Sequence, residues 1–282
     1  MKKTCLIISG LLVLLLVVSL VFTLFQKYIP LKSRLALVRI EGPIVDSKDV
    51  VEEIKEYASD KSVKAIILRV DSPGGAVAPS QEIYSEVKKA AEKKKVVVSM
   101  GSIAASGGYY ISAPATKIMA NPGTLTGSIG VIMEIPNVEG LMNKIGVKTE
   151  LIKSGKNKDI GSMFRSMKTE DKQLLQGVLD NVHEQFIKPV AEGRKMKIED
   201  VRELADGRIF TGEQAKQNGL IDELGTLEDA TRLAAKMAGI SGEPDVIFKK
   251  DKLSIIDLLR AQFPKTIADI FPAVKIKYQY AP

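Results

Sequence analysis

The 282-residue sequence holds one cysteine, Cys5, and one histidine, His183. A lone cysteine excludes an internal disulfide and leaves the compartment open. With no Cys/His ligand cluster, neither a metal nor an organic cofactor is expected. The single histidine argues against a Ser-His catalytic pair, because His183 borders the apolar face of a predicted helix beside Leu179 and Ile187, where packing or surface exposure accounts for it. Acids are missing from the first thirty positions, so setting aside Lys2, Lys3 and Lys27 lowers the formal charge from +7 to +4. That bias is too small to suggest nucleic acid, and no aromatic-rich basic motif accompanies it. A solvated surface near anionic lipid headgroups fits better. Internal repeats and low-complexity linkers are also absent.

One long hydrophobic run is present. Cys5 to Phe25 is twenty-one residues without a charge, preceded by Lys2 and Lys3 and followed by Lys27. As a helix at about 1.5 Å per residue it reaches roughly 30 Å, the thickness of a hydrocarbon core. A cleaved signal peptide has a shorter apolar stretch and a small-residue cleavage site, and Thr23-Leu24-Phe25-Gln26-Lys27 offers none. Residues 1–30 are therefore expected to form a retained single-pass anchor in the cytoplasmic membrane. Lys2 and Lys3 favour an N-terminus inside, although Lys27, Lys32 and Arg34 weaken the bias, and the body is expected outside the cytoplasm. Cys5 precedes the run, so it does not sit where a lipoprotein cysteine would.

After the anchor, short β-branched runs alternate with amphipathic ones, the pattern of an α/β layer fold. Leu35–Ile40, Ala65–Val70 and Val96–Met100 read as strands, and Pro79 to Lys94 reads as a helix between the second and third. Lys117–Ala120, Ile129–Met133 and Lys148–Ile152 are further predicted strands. A long helix is predicted from Thr169 as N-cap, with Leu174, Leu175, Val178, Leu179, Val182 and Phe186 on one apolar face. Two turns, Asp206–Gly212 and Asn218–Gly225, bracket a short helix, and Thr226 to Ala238 forms one more. Residues 31–245 are expected as one domain and 246–282 as a tail containing an amphipathic stretch, Ile255 to Phe263.

Two glycine turns stand at the carboxyl ends of predicted strands, where open α/β sheets place their ligand sites. They are Asp71-Ser72-Pro73-Gly74-Gly75 and Ala104-Ala105-Ser106-Gly107-Gly108. A serine among glycines suits acyl transfer, with backbone N–H groups free to face an oxyanion. Such a serine needs a base, and a lysine can serve when burial keeps its amine neutral. Lys88, Lys89 and Lys93 to Lys95 sit on a solvated helix face, whereas Lys153, Lys156 and Lys158 lie in a loop after a predicted strand. Pattern alone does not choose among those three.

Five segments in one order resemble the short form of signal peptide peptidase A, a family of membrane-anchored Ser/Lys serine proteases. They are the two glycine turns, Gly123 to Gly130, Lys153 to Ile160, and Asp206 to Gly225, together spread from Asp71 to Gly225. The resemblance implies a ClpP/crotonase-like fold and a homo-oligomer whose active sites are shared between subunits. It places the nucleophile on Ser106, the general base on Lys158, and a hydroxyl that holds the lysine amine on Ser128. It places the oxyanion hole on Gly107 and on the Gly74-Gly75 turn, more on Gly75. The implied substrates are cleaved signal peptides and other unfolded membrane-proximal peptides. Two other enzyme readings share the fold: a crotonase-type acyl-CoA enzyme, which would want a pair of acids where only Asp71 lies, and a stomatin-associated Ser/Lys protease. A catalytically silent peptide-binding platform is the reading from another class.

Overall fold

Alternate residues of β1 (Arg34–Glu41), β2 (Val63–Ser72) and β4 (Lys95–Ala105) are apolar toward both faces, which suits parallel strands covered on either side. In the computed structural model, which describes residues 10, 14–19 and 33–249 and the backbone of 276–279, these strands form the centre of a sheet. Its order is β10 (Asp245–Ile247), β1, β2, β4, β5 (Lys117–Ala120), β9 (Glu223–Leu224), all parallel. β6 (Leu125–Gly127) continues the ladder beside the end of β4 and pairs antiparallel with β8 (Ile209–Thr211).

The two faces divide the core by strand periodicity. Ala36, Val38, Ile66, Leu68, Val96 and Val98 belong to the larger cluster, with Ile54 of α1 (Lys48–Ser59), Ile83 and Val87 of α2 (Val77–Lys93), and Tyr109 of α3 (Gly107–Ser112). Leu35, Leu37, Ala65, Ile67 and Val97 face the other way. They pack on Ala230, Ala234 and Ala235 of α8 (Leu227–Met237). Small residues on that helix let it lie close to the sheet. Thr226 caps it, its hydroxyl accepting the Asp229 N–H while the Asp229 carboxylate accepts the Thr226 N–H at 2.8 Å.

A second, three-stranded antiparallel sheet stands at the carboxyl end of the main one. β3 (Gly74–Ala76) and β7 (Ile132–Met133) flank β11 (Ile276–Gln279), which comes from the far end of the chain. Between β7 and the long helix α5 (Thr169–Arg194), residues 134–168 carry one short helix, α4 (Glu139–Lys144), and expose Leu141, Ile145, Leu151 and Phe164. Ile152 there is 100% exposed. The remaining helices are α6 (Ile198–Leu204) and α7 (Gly212–Gln217), the latter between the two predicted turns.

Several expectations are corrected. Lys148–Ile152 is not a strand, because its apolar alternation finds no ladder partner among the described residues. Ile129–Met133 is reduced to β7, its start following Ser128, which takes a φ of 50°. The N-cap of α5 is Lys168, whose N–H donates to the Asp171 carboxylate at 3.2 Å, and Thr169 is the first helical residue. The amphipathic face of α5 is buried only in its second half, at Phe186, Ile187, Val190 and Ala191, whereas Leu174 and Val178 are 49% and 44% exposed. The chain divides into two compact units, residues 1–33 and 34–282. In the first, residues 10 and 14–19 are helical, and most of Cys5–Phe25 lies outside the described residues. No helix among the described residues is long and apolar enough to cross a membrane. Ile255–Phe263 also lies outside them, while β10 and β11 show that chain beyond residue 244 joins both sheets.

Candidate active site

β4 ends at Ala105 and α3 begins at Gly107, so Ser106 alone carries the change of direction between strand and helix. It does so with φ 51° and ψ −116°, a conformation that costs a non-glycine residue about 1–3 kcal/mol. The surroundings hold it there. Its N–H donates to the Gly127 carbonyl at 2.8 Å, and its carbonyl accepts the Tyr110 N–H at 2.8 Å. Tyr109 is fully buried and donates its hydroxyl to the Leu220 carbonyl at 2.9 Å, and burial pushes its phenol up. Tyr110 meets Phe186 of α5 edge-on at 5.0 Å. Both tyrosines are thus packing residues.

The Ser106 side chain has no such support. The residue is 1% exposed, and its Oγ has no hydrogen-bond partner. Leaving a hydroxyl in that state costs about 1–3 kcal/mol, which a fold tolerates where the group has another use.

The glycine turn after β2 lies against this serine's helix. A Cβ on Gly107 would stand 2.7 Å from Ser80 Oγ, 3.1 Å from Gly74 Cα and 3.2 Å from Gly75 N, so the two backbones approach as only glycine allows. Gly107 opens α3, and its N–H lacks an intrahelical acceptor. The structure separates the two candidates of the other turn. Gly74, at φ 94°, donates its N–H to Ser72 Oγ at 3.1 Å, whereas Gly75 pairs across from Tyr278 of β11. The Gly74 N–H is thus spent within its own turn.

Ser128 arrives by register. β6 pairs with β4 so that Gly127 stands opposite Ala105, which sets Ser128 beside Ser106. Ser128 also has a positive φ, 50°, is 7% exposed, and is fixed by its N–H donating to the Arg208 carbonyl at 2.8 Å. A cleft of about 450 Å³ opens at Ser128, lined by Gly130, Ile132, Leu179, Asp180, His183 and Gly207. His183 Nε2 is buried without a partner, so the sequence placed this residue well but missed that it faces the cleft. A larger cleft of about 500 Å³ between Tyr84, Lys117 and Arg194 contains none of the candidate residues, so size does not mark the site. Among the described residues no group of three His, Cys, Asp or Glu side chains is arranged to hold a metal ion.

The candidate lysine is not in this group. Lys158 is exposed in the loop after residue 153, and among the described residues its amine makes no hydrogen bond or ion pair and nothing bonds Ser106 Oγ. One protomer therefore brings together Ser106, Ser128, Gly107, Gly74 and Gly75, and leaves Lys158 exposed and bonded to none of them. Of its two rivals, Lys153 is committed to Asp159 at 2.6 Å and to the Lys156 carbonyl at 2.9 Å, while Lys156 is exposed.

Comparison with known proteins bears on this arrangement. The model of peptidase family S49 matches residues 88–241, which include Ser106, Ser128 and Lys158. This chain belongs to peptidase family S49. The Clp protease model matches residues 32–125, in keeping with the parallel sheet and its carboxyl-end turns. A candidate protease of Synechocystis sp. is 46% identical over 218 residues, 77% of this chain and 78% of that one. A candidate signal peptide peptidase SppA of Enterococcus faecium is 38% identical over 205 residues, 72% of this chain and 60% of that one. The chloroplastic serine protease SPPA of Arabidopsis thaliana is 36% identical over 209 residues, 72% of this chain but 31% of that one. The S49 membership makes this chain a serine protease of the signal peptide peptidase A kind that its motifs resemble.

Proposed function

We propose that this S49 peptidase is a membrane-anchored, oligomeric endopeptidase in which Ser106 of one subunit is activated by Lys158 of another. The observation that carries the reading is the unpartnered, buried Ser106 Oγ on a strained turn, in a chain whose candidate base is held out in solvent. A lysine amine takes a proton only when neutral, which needs burial, and a neighbouring copy would supply that to Lys158. Ser128, lining the cleft beside Ser106, would accept the arriving amine and orient it. The exposed apolar residues of 134–168 and of the first half of α5 supply surface for that contact.

Catalysis then runs as acyl transfer. Ser106 Oγ attacks the peptide carbonyl while Lys158 Nζ takes its proton, and the Gly107 and Gly75 N–H groups stabilise the oxyanion. Lys158 returns the proton to the leaving amine, and water hydrolyses the Ser106 ester. The position of β11 beside β3 supports an extended substrate running antiparallel to Gly74–Ala76. The uncharged run Cys5–Phe25 supports a single-pass anchor with its N-terminus in the cytoplasm, and hence remnant signal peptides and other membrane-proximal segments as substrates. Labelling of the assembled protein with a fluorophosphonate tests the reading: adduct on Ser106 and loss of peptide cleavage are expected. An unlabelled, folded protein would favour a silent platform.

A further inference from the structure

The loop that carries Lys158 is knitted by a cluster of four charges. Asp159, next in sequence, has a side chain 6% exposed and accepts from Lys153 Nζ at 2.6 Å and from Arg165 Nε at 2.7 Å. Arg165 spends the rest of its guanidinium on the Asp159 carbonyl at 3.2 Å, the Ser166 carbonyl at 3.0 Å and the Asp171 carboxylate at 2.6 Å. Asp171, 8% exposed, belongs to the first turn of α5. The second half of that helix packs against α3 through Phe186 and Tyr110. A chain of contacts thus runs from the turn of Ser106 to the backbone beside Lys158.

We propose that Arg165, with Asp159 and Asp171, is the positioning device for Lys158, and this rests on the reading of Lys158 as the base. A planar fork that grips both the carboxylate and the carbonyl of residue 159 fixes the backbone from which the lysine side chain projects. The cluster also removes a charge conflict. An unbalanced Asp159 beside Lys158 would favour the ammonium, the form that takes no proton. Lys153 and Arg165 together with Asp159 and Asp171 sum to no net charge. Further charged groups of the loop and its flanks include Lys148, Glu150, Lys156, Lys168 and Glu139, the last accepting from Ser166 Oγ at 2.6 Å.

The test measures kcat, KM and the pH profile of peptide cleavage for the full chain and its Arg165→Gln, Arg165→Lys and Asp159→Asn variants, with particle size checked for each. Arg165→Gln is expected to lower kcat about a hundredfold with KM little changed, as for a base misplaced by about an ångström. Its activity limb moves to higher pH, because Asp159 is left less balanced. Asp159→Asn moves the limb to lower pH, because two cations are left beside the base. Arg165→Lys keeps the wild-type limb and recovers part of kcat. A merely structural cluster would lower activity through lost assembly and leave the limb in place. Wild-type kcat and limb in Arg165→Gln overturn the proposal. If that variant fails to assemble, the limb of Asp159→Asn decides, an unmoved one being contrary. A Lys158→Ala control separates the two levels. Cleavage by that variant sinks the base assignment itself, whereas a dead Lys158→Ala beside a normal Arg165→Gln sinks only the positioning role.

Discussion

The Ser106 hydroxyl has neither solvent nor a partner, and the backbone that presents it is held against its own preference by two hydrogen bonds at 2.8 Å. Ser106→Ala removes the hydroxyl without disturbing those bonds, so the variant is expected to fold and assemble as the parent does while cleaving nothing. Lys158→Ala is expected to be equally silent and Lys156→Ala to keep most activity. Peptide assays on all three decide, and a dead Lys156→Ala would move the base by two positions. Gly107→Ala tests the oxyanion hole. Its Cβ would press on Ser80 Oγ at 2.7 Å and push the helix N-terminus off the Gly74-Gly75 turn. A fall in kcat of about a hundredfold or more is expected, the usual loss for one donor. Ser80→Ala in the same chain relieves part of the strain and should restore part of the melting temperature.

At the scale of elements, much was legible because it was local. β1, β2 and β4 announce themselves by apolar residues on both faces, and α7 and α8 by the turn and capping residues around them. Ser106, Ser128 and the glycines converge because each sits where a strand ends in one sheet. Long-range pairing was not legible. Lys148–Ile152 has strand propensity but no partner among the described residues, and β11 (276–279) pairs with residues as early in the chain as 74–76. Which glycine N–H of the turn is spent depended on one hydroxyl, Ser72 Oγ. Two predictions belong here. Deleting residues 276–282 frees the β3 edge, so KM for an extended peptide should fall, and an unchanged KM would mean that β11 does not share the substrate's place. The α8 cap gives the other. Thr226→Ala should cost about 1 kcal/mol in denaturant unfolding. Hydrogen bonds from Thr226 hold the Asp229 carboxyl down at about 2, so its stabilising effect is complete above the ordinary carboxylate range and is lost only as pH falls toward 2.

The whole molecule is more than one chain on this account. A protomer exposes Leu174, Val178 and Ile152, and among the described residues its Ser106 hydroxyl bonds nothing. Val178→Glu should therefore yield smaller particles in sedimentation with little cleavage, and particles of parental size and activity would remove α5 from the contact. The sharing of one site between copies has the most direct test. Ser106→Ala and Lys158→Ala chains, each silent alone, are unfolded together and allowed to reassemble as mixed particles. Sites that combine an intact serine from one chain with an intact lysine from another should then cleave peptide. Mixed particles of normal size that stay inactive would contradict the account, since they would mean that each chain must supply both groups to its own site.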